Sequence, residues 1–243
     1  MNKNKQKKRL SSFIIVVALI VMSFLLRSLT DSERYSAEGN GRTNHIKVND
    51  NKIKVACVGD SITFGYGYPE ELQRLLGTSY DVRNFGYSGR TAMRTGDYPY
   101  IKEEIYQESL TFSPKIVVIM FGTNDSKVQN WISKEEFKKQ YRDLILSYTK
   151  LKSNPTIYLN TPATPYYVGG ITRGPMKFNI QKDKVAEVVE GVQELGEELD
   201  LKVININQVT KKHPEWFEKD GIHPNPDGAK AIASAVYRGI TGT

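Results

Sequence analysis

The sequence of 243 residues contains a single cysteine, Cys57, and only three histidines. One cysteine cannot form an intrachain disulfide framework, and it also excludes a cysteine-rich metal site. Signature motifs of several enzyme classes are absent: there is no G-x-S-x-G elbow, no P-loop, no G-x-G-x-x-G after a strand and no H-E-x-x-H pair. The sequence therefore gives no support to a nucleotide-dependent or zinc-dependent enzyme of these classes.

The surplus of positive charge is confined to one end of the chain. The formal net charge is +7, and residues 1–27 contain six basic side chains and no acidic one. The rest of the chain has 28 basic and 27 acidic side chains, so it is nearly neutral. Because a nucleic-acid-binding domain needs a basic surface of its own, we expect no nucleic-acid partner.

An uncharged segment follows the first basic residues. Residues 13–26 are apolar except for one serine, and nothing on them is polar enough to face water. A cleaved signal peptide would place small residues at a cleavage site, but Arg27–Asp31 show no A-x-A-like pattern. The sequence therefore favours a retained anchor, and it leaves cleavage open.

Three regions follow from this pattern. We interpret residues 1–27 as a signal-anchor or transmembrane segment, residues 28–51 as a polar tether and residues 52–243 as one folded domain. Basic residues before a membrane span stay on the cytoplasmic side. We therefore expect a single-pass membrane protein with its folded domain outside the cell, or a secreted domain if the segment is cleaved.

From residue 52 onward, short apolar runs alternate with amphipathic helices. The predicted strands are Ile53–Val58, Val82–Phe85, Ile116–Phe121, Thr156–Asn160 and Leu201–Ile206. Four helices are predicted. The first includes Leu72 to Leu76, and the second begins at Ser133, which forms a capping box with Glu136. The other two cover Lys182–Leu199 and Pro226–Tyr237. Continuous apolar strands between helices indicate an α/β fold with a five-stranded parallel sheet covered on both faces.

In such a sheet, ligands bind beyond the carboxyl ends of the strands. Ser61 follows the first strand directly, but a serine hydroxyl is a weak nucleophile unless a base takes its proton. Of the three histidines, His45 lies in the tether and His213 in a polar segment, whereas His223 has Asp220 three residues before it. This spacing allows Asp220 to hold one ring nitrogen while the other nitrogen faces Ser61.

An oxyanion that forms on a substrate needs hydrogen-bond donors already in place. The candidate donors are the backbone N–H of Ser61, the backbone N–H of Gly89 and the side-chain amide of Asn124, all of which follow predicted strands. Each of them alone is equally explained as a cap or turn residue. We interpret Asp60 and Asp125 as structural residues that brace these loops.

Aromatic residues near the strand ends are candidates for substrate binding. Trp131, Tyr166 and Tyr167 follow the third and fourth strands, and each is also explained by packing alone.

Four sequence blocks, in this order between residues 59 and 224, resemble those of the SGNH hydrolases, also called the GDSL esterase family. The blocks are Gly-Asp-Ser at Ser61, Ser-Gly-Arg-Thr at Gly89, Gly-Thr-Asn-Asp at Asn124 and Asp-Gly-Ile-His-Pro with Asp220 and His223. The resemblance implies a three-layer α/β/α flavodoxin-like fold, with neither metal nor organic cofactor. It also implies that Ser61 is the acylated nucleophile, His223 its base, Asp220 the partner of His223, and Gly89 and Asn124 oxyanion donors.

The wider pattern is similar to the branch of carbohydrate and sialate O-acetylesterases. It includes Asn124–Lys127, Trp131 and His213–Glu215. We expect a serine esterase that removes short acyl groups, above all O-acetyl groups, from extracellular carbohydrates. A membrane-anchored glycan O-acetyltransferase, a lysophospholipase or thioesterase of the same family, and an inactive glycan-binding module remain alternatives. The sequence does not indicate an oligomeric state.

Overall fold

A computed structural model of the chain describes residues 52–243, and its centre is one sheet of five parallel strands. The strands are β1 (Ile53–Gly59), β2 (Tyr80–Gly86), β3 (Ile116–Met120), β4 (Thr156–Asn160) and β5 (Lys202–Ile204). Their order across the sheet is β2-β1-β3-β4-β5, which is the flavodoxin-like order. The α/β fold and the five-stranded parallel sheet are therefore confirmed.

Helices cover both faces of this sheet, because each strand points alternate side chains to opposite sides. The helices are α1 (Ser61–Gly65), α2 (Tyr68–Leu76), α3 (Glu104–Thr111), α4 (Lys134–Thr149), α5 (Lys182–Glu198), α6 (Ile206–Thr210) and α7 (Pro226–Thr241). One apolar core lies between the sheet and α3, α4 and α5. The other core lies between the sheet and α2, α6 and α7, and it contains Cys57.

Cys57 is fully buried, and burial raises the pKa of its thiol to about 12. The thiol therefore stays protonated and packs as a small apolar group.

Most predicted elements are present, and the differences have local causes. The predicted capping box of α4 is half formed, since the side chain of Ser133 accepts a hydrogen bond from the backbone N–H of Glu136. The prediction of a fifth strand over Leu201–Ile206 was too long. The side chain of Asn205 accepts a hydrogen bond from the N–H of Gln208 and starts α6 there.

The predicted anchor and tether lie outside the described residues, so both stay predictions. Within residues 52–243, no helix combines the length and the apolar character that crossing a membrane requires.

The carboxyl ends of β1 and its neighbours lie side by side. Gly59 pairs with Gly86 of β2 and with Met120 of β3, and Met120 pairs with Asn160 of β4. The loops that follow these strands consequently begin at one edge of the sheet. Every site residue predicted from strand ends therefore starts from a common edge.

Replacement of Gly86 by alanine should destabilise this edge. A Cβ atom at Gly86 would lie 2.4 Å from the backbone nitrogen of Phe64, so strand β2 and helix α1 would have to move apart. We expect Gly86→Ala to lower the free energy of unfolding by about 1–3 kcal/mol, as for other overpacked sites. The measurement is urea denaturation.

The matched control is Gly65→Ala, in the same helix, where an added Cβ would meet no atom within 4 Å. Its free energy of unfolding should stay equal or rise slightly, because alanine favours helix. Equal losses in the two variants would contradict the close approach of β2 and α1.

Candidate active site

Ser61 is the first residue of α1 and follows β1 after a single connecting residue. That residue, Asp60, caps the helix by accepting a hydrogen bond from the N–H of Ile62 at 3.0 Å. The short strand-to-helix turn holds the Ser61 side chain at the carboxyl edge of the sheet.

A chain of hydrogen bonds joins Ser61 to residues more than 150 positions away in the sequence. The Ser61 Oγ lies 2.9 Å from Nε2 of His223, and Nδ1 of His223 lies 2.7 Å from Oδ2 of Asp220. The other carboxylate oxygen of Asp220 accepts hydrogen bonds from the backbone N–H groups of Ile222 and His223, at 2.9 and 3.0 Å. The structure thus brings together the serine, histidine and aspartate that the sequence analysis selected.

The Asp220 carboxylate is stabilised in its charged form. Partial burial acts to raise its pKa, but the hydrogen bonds from the His223 ring and from the N–H groups of His223 and Ile222 outweigh it, so the pKa lies below its ordinary value. In a neutral imidazole whose Nδ1–H donates to the ionised Asp220, Nε2 carries no proton and can accept one from Ser61.

The turn that presents His223 depends on a glycine. Gly221 has a φ of +73°, and a Cβ at this position would lie 2.2 Å from the carbonyl oxygen of Tyr166. A larger residue would therefore displace the segment that holds Asp220 and His223.

Ser61 and His223 face a cavity of about 240 Å³. Its lining consists of Ser61, Tyr66, Ser88, Gly89, Thr123, Asn124, Lys127, Phe178, Ile180, Ile222 and His223. All three predicted oxyanion donors, Ser61, Gly89 and Asn124, are in this lining. Gly89 has a φ of +78°, and no atom lies within 4 Å of the place where a Cβ would stand, so a ligand can approach its backbone.

Buried hydrogen bonds fix the position of Asn124. Its Nδ2 donates to the carbonyl oxygen of Arg90 at 3.1 Å and, more weakly, to Oδ2 of Asp60 at 3.4 Å. Asn130 donates from its own amide to the carbonyl oxygen of Asn124 at 2.9 Å. The Asn124 amide therefore has a defined orientation beside the cavity.

The bracing bonds expected of Asp60 and Asp125 are present. Besides the cap that Asp60 provides, the carboxylate of Asp125 accepts hydrogen bonds from the backbone N–H groups of Ala92 and Met93, at 3.2 and 2.8 Å. Complete burial raises the pKa of Asp60 to about 7 and that of Asp125 to about 6. Asp125 links the loop after β3 to the loop that contains Gly89.

Two aromatic rings that sequence reasoning missed pack on the imidazole of His223. Tyr66 is stacked on it, with ring centroids 4.4 Å apart and an interplanar angle of 15°. Phe178 meets it edge-on, with centroids 5.7 Å apart and an angle of 69°. The only sequence signals were the closeness of Tyr66 to Ser61 and the position of Phe178 in the long loop after β4.

The structure does not place Trp131 or Tyr166 at the cavity, so their role in substrate binding stays a prediction. Trp131 lies just before α4 and stacks on Phe137, against the core. The hydroxyl of Tyr166 donates to the carbonyl oxygen of Thr210 and accepts from the N–H of His213, so it braces the chain between those residues.

Tyr167 lies in a separate, open groove of about 1040 Å³ formed by the loop after β4 and the start of α5. Its lining consists of Tyr167, Ile171, Thr172, Arg173, Gly174, Pro175, Gln181, Lys182, Asp183 and Ala186.

Across residues 52–243, no three His, Cys, Asp or Glu side chains are grouped in a way that could hold a metal ion.

Comparison with known proteins gives a consistent result. Residues 57–231 match the GDSL-like lipase/acylhydrolase family. An acetylxylan esterase of Xylanibacter ruminicola is 34% identical over 218 residues, which cover 79% of this chain and 44% of that protein. The chain thus spans less than half the length of that relative.

Solved structures show the same fold. A lipase/acylhydrolase from Enterococcus faecalis superposes with a TM-score of 0.64 at 26% identity, covering 78% of this chain and 95% of the other. A carbohydrate acetylesterase family member from Sinorhizobium meliloti superposes with a TM-score of 0.61 at 20% identity, covering 78% of this chain and 99% of the other.

The buried carboxyl of Asp60 should make stability depend on pH. In the unfolded chain it loses its proton near its ordinary pKa of 3.8, whereas in the folded chain it keeps the proton until about pH 7. Between these values the folded state binds more protons, so a rise in pH favours unfolding. Asp60 therefore contributes stability that is present below pH 3.8 and is lost as the pH rises through 7.

The measurement is the free energy of unfolding of wild type and Asp60→Asn from pH 4 to 8. The wild type should lose stability relative to the variant as the pH rises. Parallel curves for the two proteins would contradict a raised pKa at Asp60.

Proposed function

The chain belongs to the GDSL-like lipase/acylhydrolase family, a family of carboxylic ester hydrolases, and we propose that it is a serine esterase that removes O-acetyl groups from carbohydrates. The observation that supports this most is the hydrogen-bonded chain from Asp220 through His223 to Ser61 at the mouth of a small cavity. The similarity to an acetylxylan esterase supports the choice of acyl group and of substrate class.

In the proposed reaction, Nε2 of His223 takes the proton of the Ser61 hydroxyl as Oγ forms a bond to the ester carbonyl carbon. The carbonyl oxygen becomes an oxyanion and accepts hydrogen bonds from the N–H groups of Ser61 and Gly89. The Asn124 amide adds a third when one of its N–H groups leaves the weak 3.4 Å contact with Asp60. His223 then gives its proton to the alcohol oxygen as the bond between carbon and that oxygen breaks.

An acyl group now remains on Ser61. A water molecule gives a proton to His223, its oxygen bonds to the acyl carbon, and the bond to Ser61 breaks as the serine recovers its proton. Throughout both halves, the Asp220 carboxylate holds the imidazole by Nδ1 and stabilises its protonated form.

The size of the cavity supports a short acyl group. At about 240 Å³ it is smaller than the pockets of roughly 300–1,000 Å³ that enclose drug-sized ligands. Apolar and aromatic side chains, among them Tyr66, Phe178 and Ile180, line part of it. The small volume suits an acetyl group better than a fatty acyl chain, which favours the acetylesterase over the lysophospholipase alternative.

A glycan O-acetyltransferase uses the same acyl-enzyme, with a sugar hydroxyl in place of water, and the membrane anchor predicted at residues 1–27 would suit that placement. Incubation with an acetyl donor and a glycan acceptor separates the two activities. A gain in acceptor mass by acetyl groups would identify the transferase, whereas release of acetate alone would identify the esterase.

We also propose that residues 1–27 hold the domain at the outer face of the cell membrane. The proposal rests on the basic residues before the apolar run. The domain should sediment with membranes after a high-salt wash and be degraded when protease is added to intact cells. Protection of the domain in intact cells would contradict this placement.

Hydrolysis of acetyl and octanoyl esters and of O-acetylated xylo-oligosaccharides tests the activity. Wild type should release acetate from the sugar and prefer acetyl over octanoyl esters. Ser61→Ala should lose activity by about a thousandfold or more, because the nucleophile is gone.

The matched control is Ser88→Ala, which removes a hydroxyl from the same cavity that is not hydrogen-bonded to His223 and should retain most activity. A preference for octanoyl esters would contradict the proposed substrate. Equal residual rates in wild type and Ser61→Ala would favour an inactive binding module.

A further inference from the structure

Phe178 is 49% exposed, although its side chain lines the cavity that contains Ser61. Its edge-on contact with His223 covers only part of the ring. Because the rest of the ring is open to solvent, it is available to a ligand bound at Ser61.

The backbone presents this ring in an unusual conformation. Phe178 has a φ of +62° and the next residue, Asn179, a φ of +61°, in the left-handed region that bulky residues rarely occupy. Two backbone hydrogen bonds hold the segment in place. The N–H of Val128 donates to the carbonyl oxygen of Asn179 at 3.0 Å. The N–H of Gln181 donates to the carbonyl oxygen of Ser126 at 3.3 Å. The ring is therefore positioned before any ligand binds.

The chemistry of the reaction decides which half of the ester meets this ring. His223 must give its proton to the leaving alcohol oxygen, so the alcohol lies next to the imidazole. The carbonyl oxygen points the other way, toward the N–H donors of Gly89 and Asn124. Since Phe178 packs on the imidazole, its free surface borders the alcohol half of the substrate.

We propose that Phe178 is the contact residue of a sugar-binding subsite on the leaving-alcohol side of the active site, where its ring packs against the apolar C–H face of the sugar that carries the acetyl group. The inference rests on the proposed function and adds the residue that recognises the sugar. An aromatic ring supplies contact area at little cost in conformational entropy, and its negative face attracts C–H groups of partial positive charge.

The separate groove that contains Tyr167 is formed in part by the loop that carries Phe178. Residues of the loop between Gly174 and Lys182 line both the groove and the cavity. The groove, at about 1040 Å³, is far larger than an acetyl group and has side-chain donors on Arg173, Gln181 and Lys182 for sugar hydroxyls.

The test measures kcat/KM of wild type and Phe178→Ala on four substrates: the acetyl and butyryl esters of ethanol and of xylobiose. The variant should lose about tenfold on both xylobiose esters and little on both ethyl esters. The ratio of acetyl to butyryl rates should stay unchanged for each alcohol. The rate of deacylation, which follows loss of the alcohol, should also be unchanged.

Two further variants separate recognition from a general disturbance of the loop. Phe178→Trp keeps an aromatic surface and should retain the preference for xylobiose esters. Val168→Ala removes another exposed apolar side chain of the same loop, 43% exposed and outside both linings, and should behave as wild type.

Several outcomes would overturn the inference. Equal losses on all four substrates would show that Phe178 only supports His223, and a change confined to the acetyl to butyryl ratio would place the ring on the acyl side. If wild type cleaves ethyl acetate and not acetylated xylobiose, the proposed carbohydrate substrate fails, and the sugar subsite fails with it. Unchanged xylobiose rates in Phe178→Ala would reject the subsite alone.

Discussion

The chain of hydrogen bonds from Asp220 through His223 to Ser61 is the interaction on which the rest of the site depends. It joins the end of the first strand to the loop before the last helix, with separations of 2.7 and 2.9 Å between the bonded atoms. Because Ser61 lies far in sequence from Asp220 and His223, these hydrogen bonds form only when the whole sheet is assembled. Other residues at the carboxyl ends of the strands keep these three side chains in place and leave Ser61 accessible to a ligand.

The sheet gathers these groups, and buried polar residues then fix them. Asp60 caps the helix of Ser61, while Asp125 fastens the loop of Gly89 to the loop of Asn124. Burial raises the pKa of both carboxyls, because it disfavours their charged forms. Their hydrogen bonds to backbone N–H groups hold the loops in the geometry that ester hydrolysis requires, which is a reason for the fold to keep such groups buried.

Residues at strand ends could be predicted from the sequence because a parallel sheet places all its carboxyl ends at one edge. This reasoning located Ser61, Gly89 and Asn124, whereas His223 was selected from three histidines because Asp220 lies three residues before it. It could not find Phe178, whose place depends on a left-handed backbone within a long loop. Helix α3 was also missed, since only Tyr106 and Ser109 of its residues are buried and its apolar pattern is weak. For Trp131 both substrate binding and packing stayed open, because sequence alone does not show that it stacks on Phe137.

The central claim is that Ser61 becomes acylated with His223 as its base. Rapid quenching of the enzyme with an activated acetyl ester, followed by mass spectrometry of its peptides, tests this claim most directly. The account predicts one acetyl group on the peptide that contains Ser61 in the wild type, and strongly reduced labelling in His223→Ala. An acetyl group on a different residue, or equally rapid labelling of Ser61 without the His223 imidazole, would contradict the account.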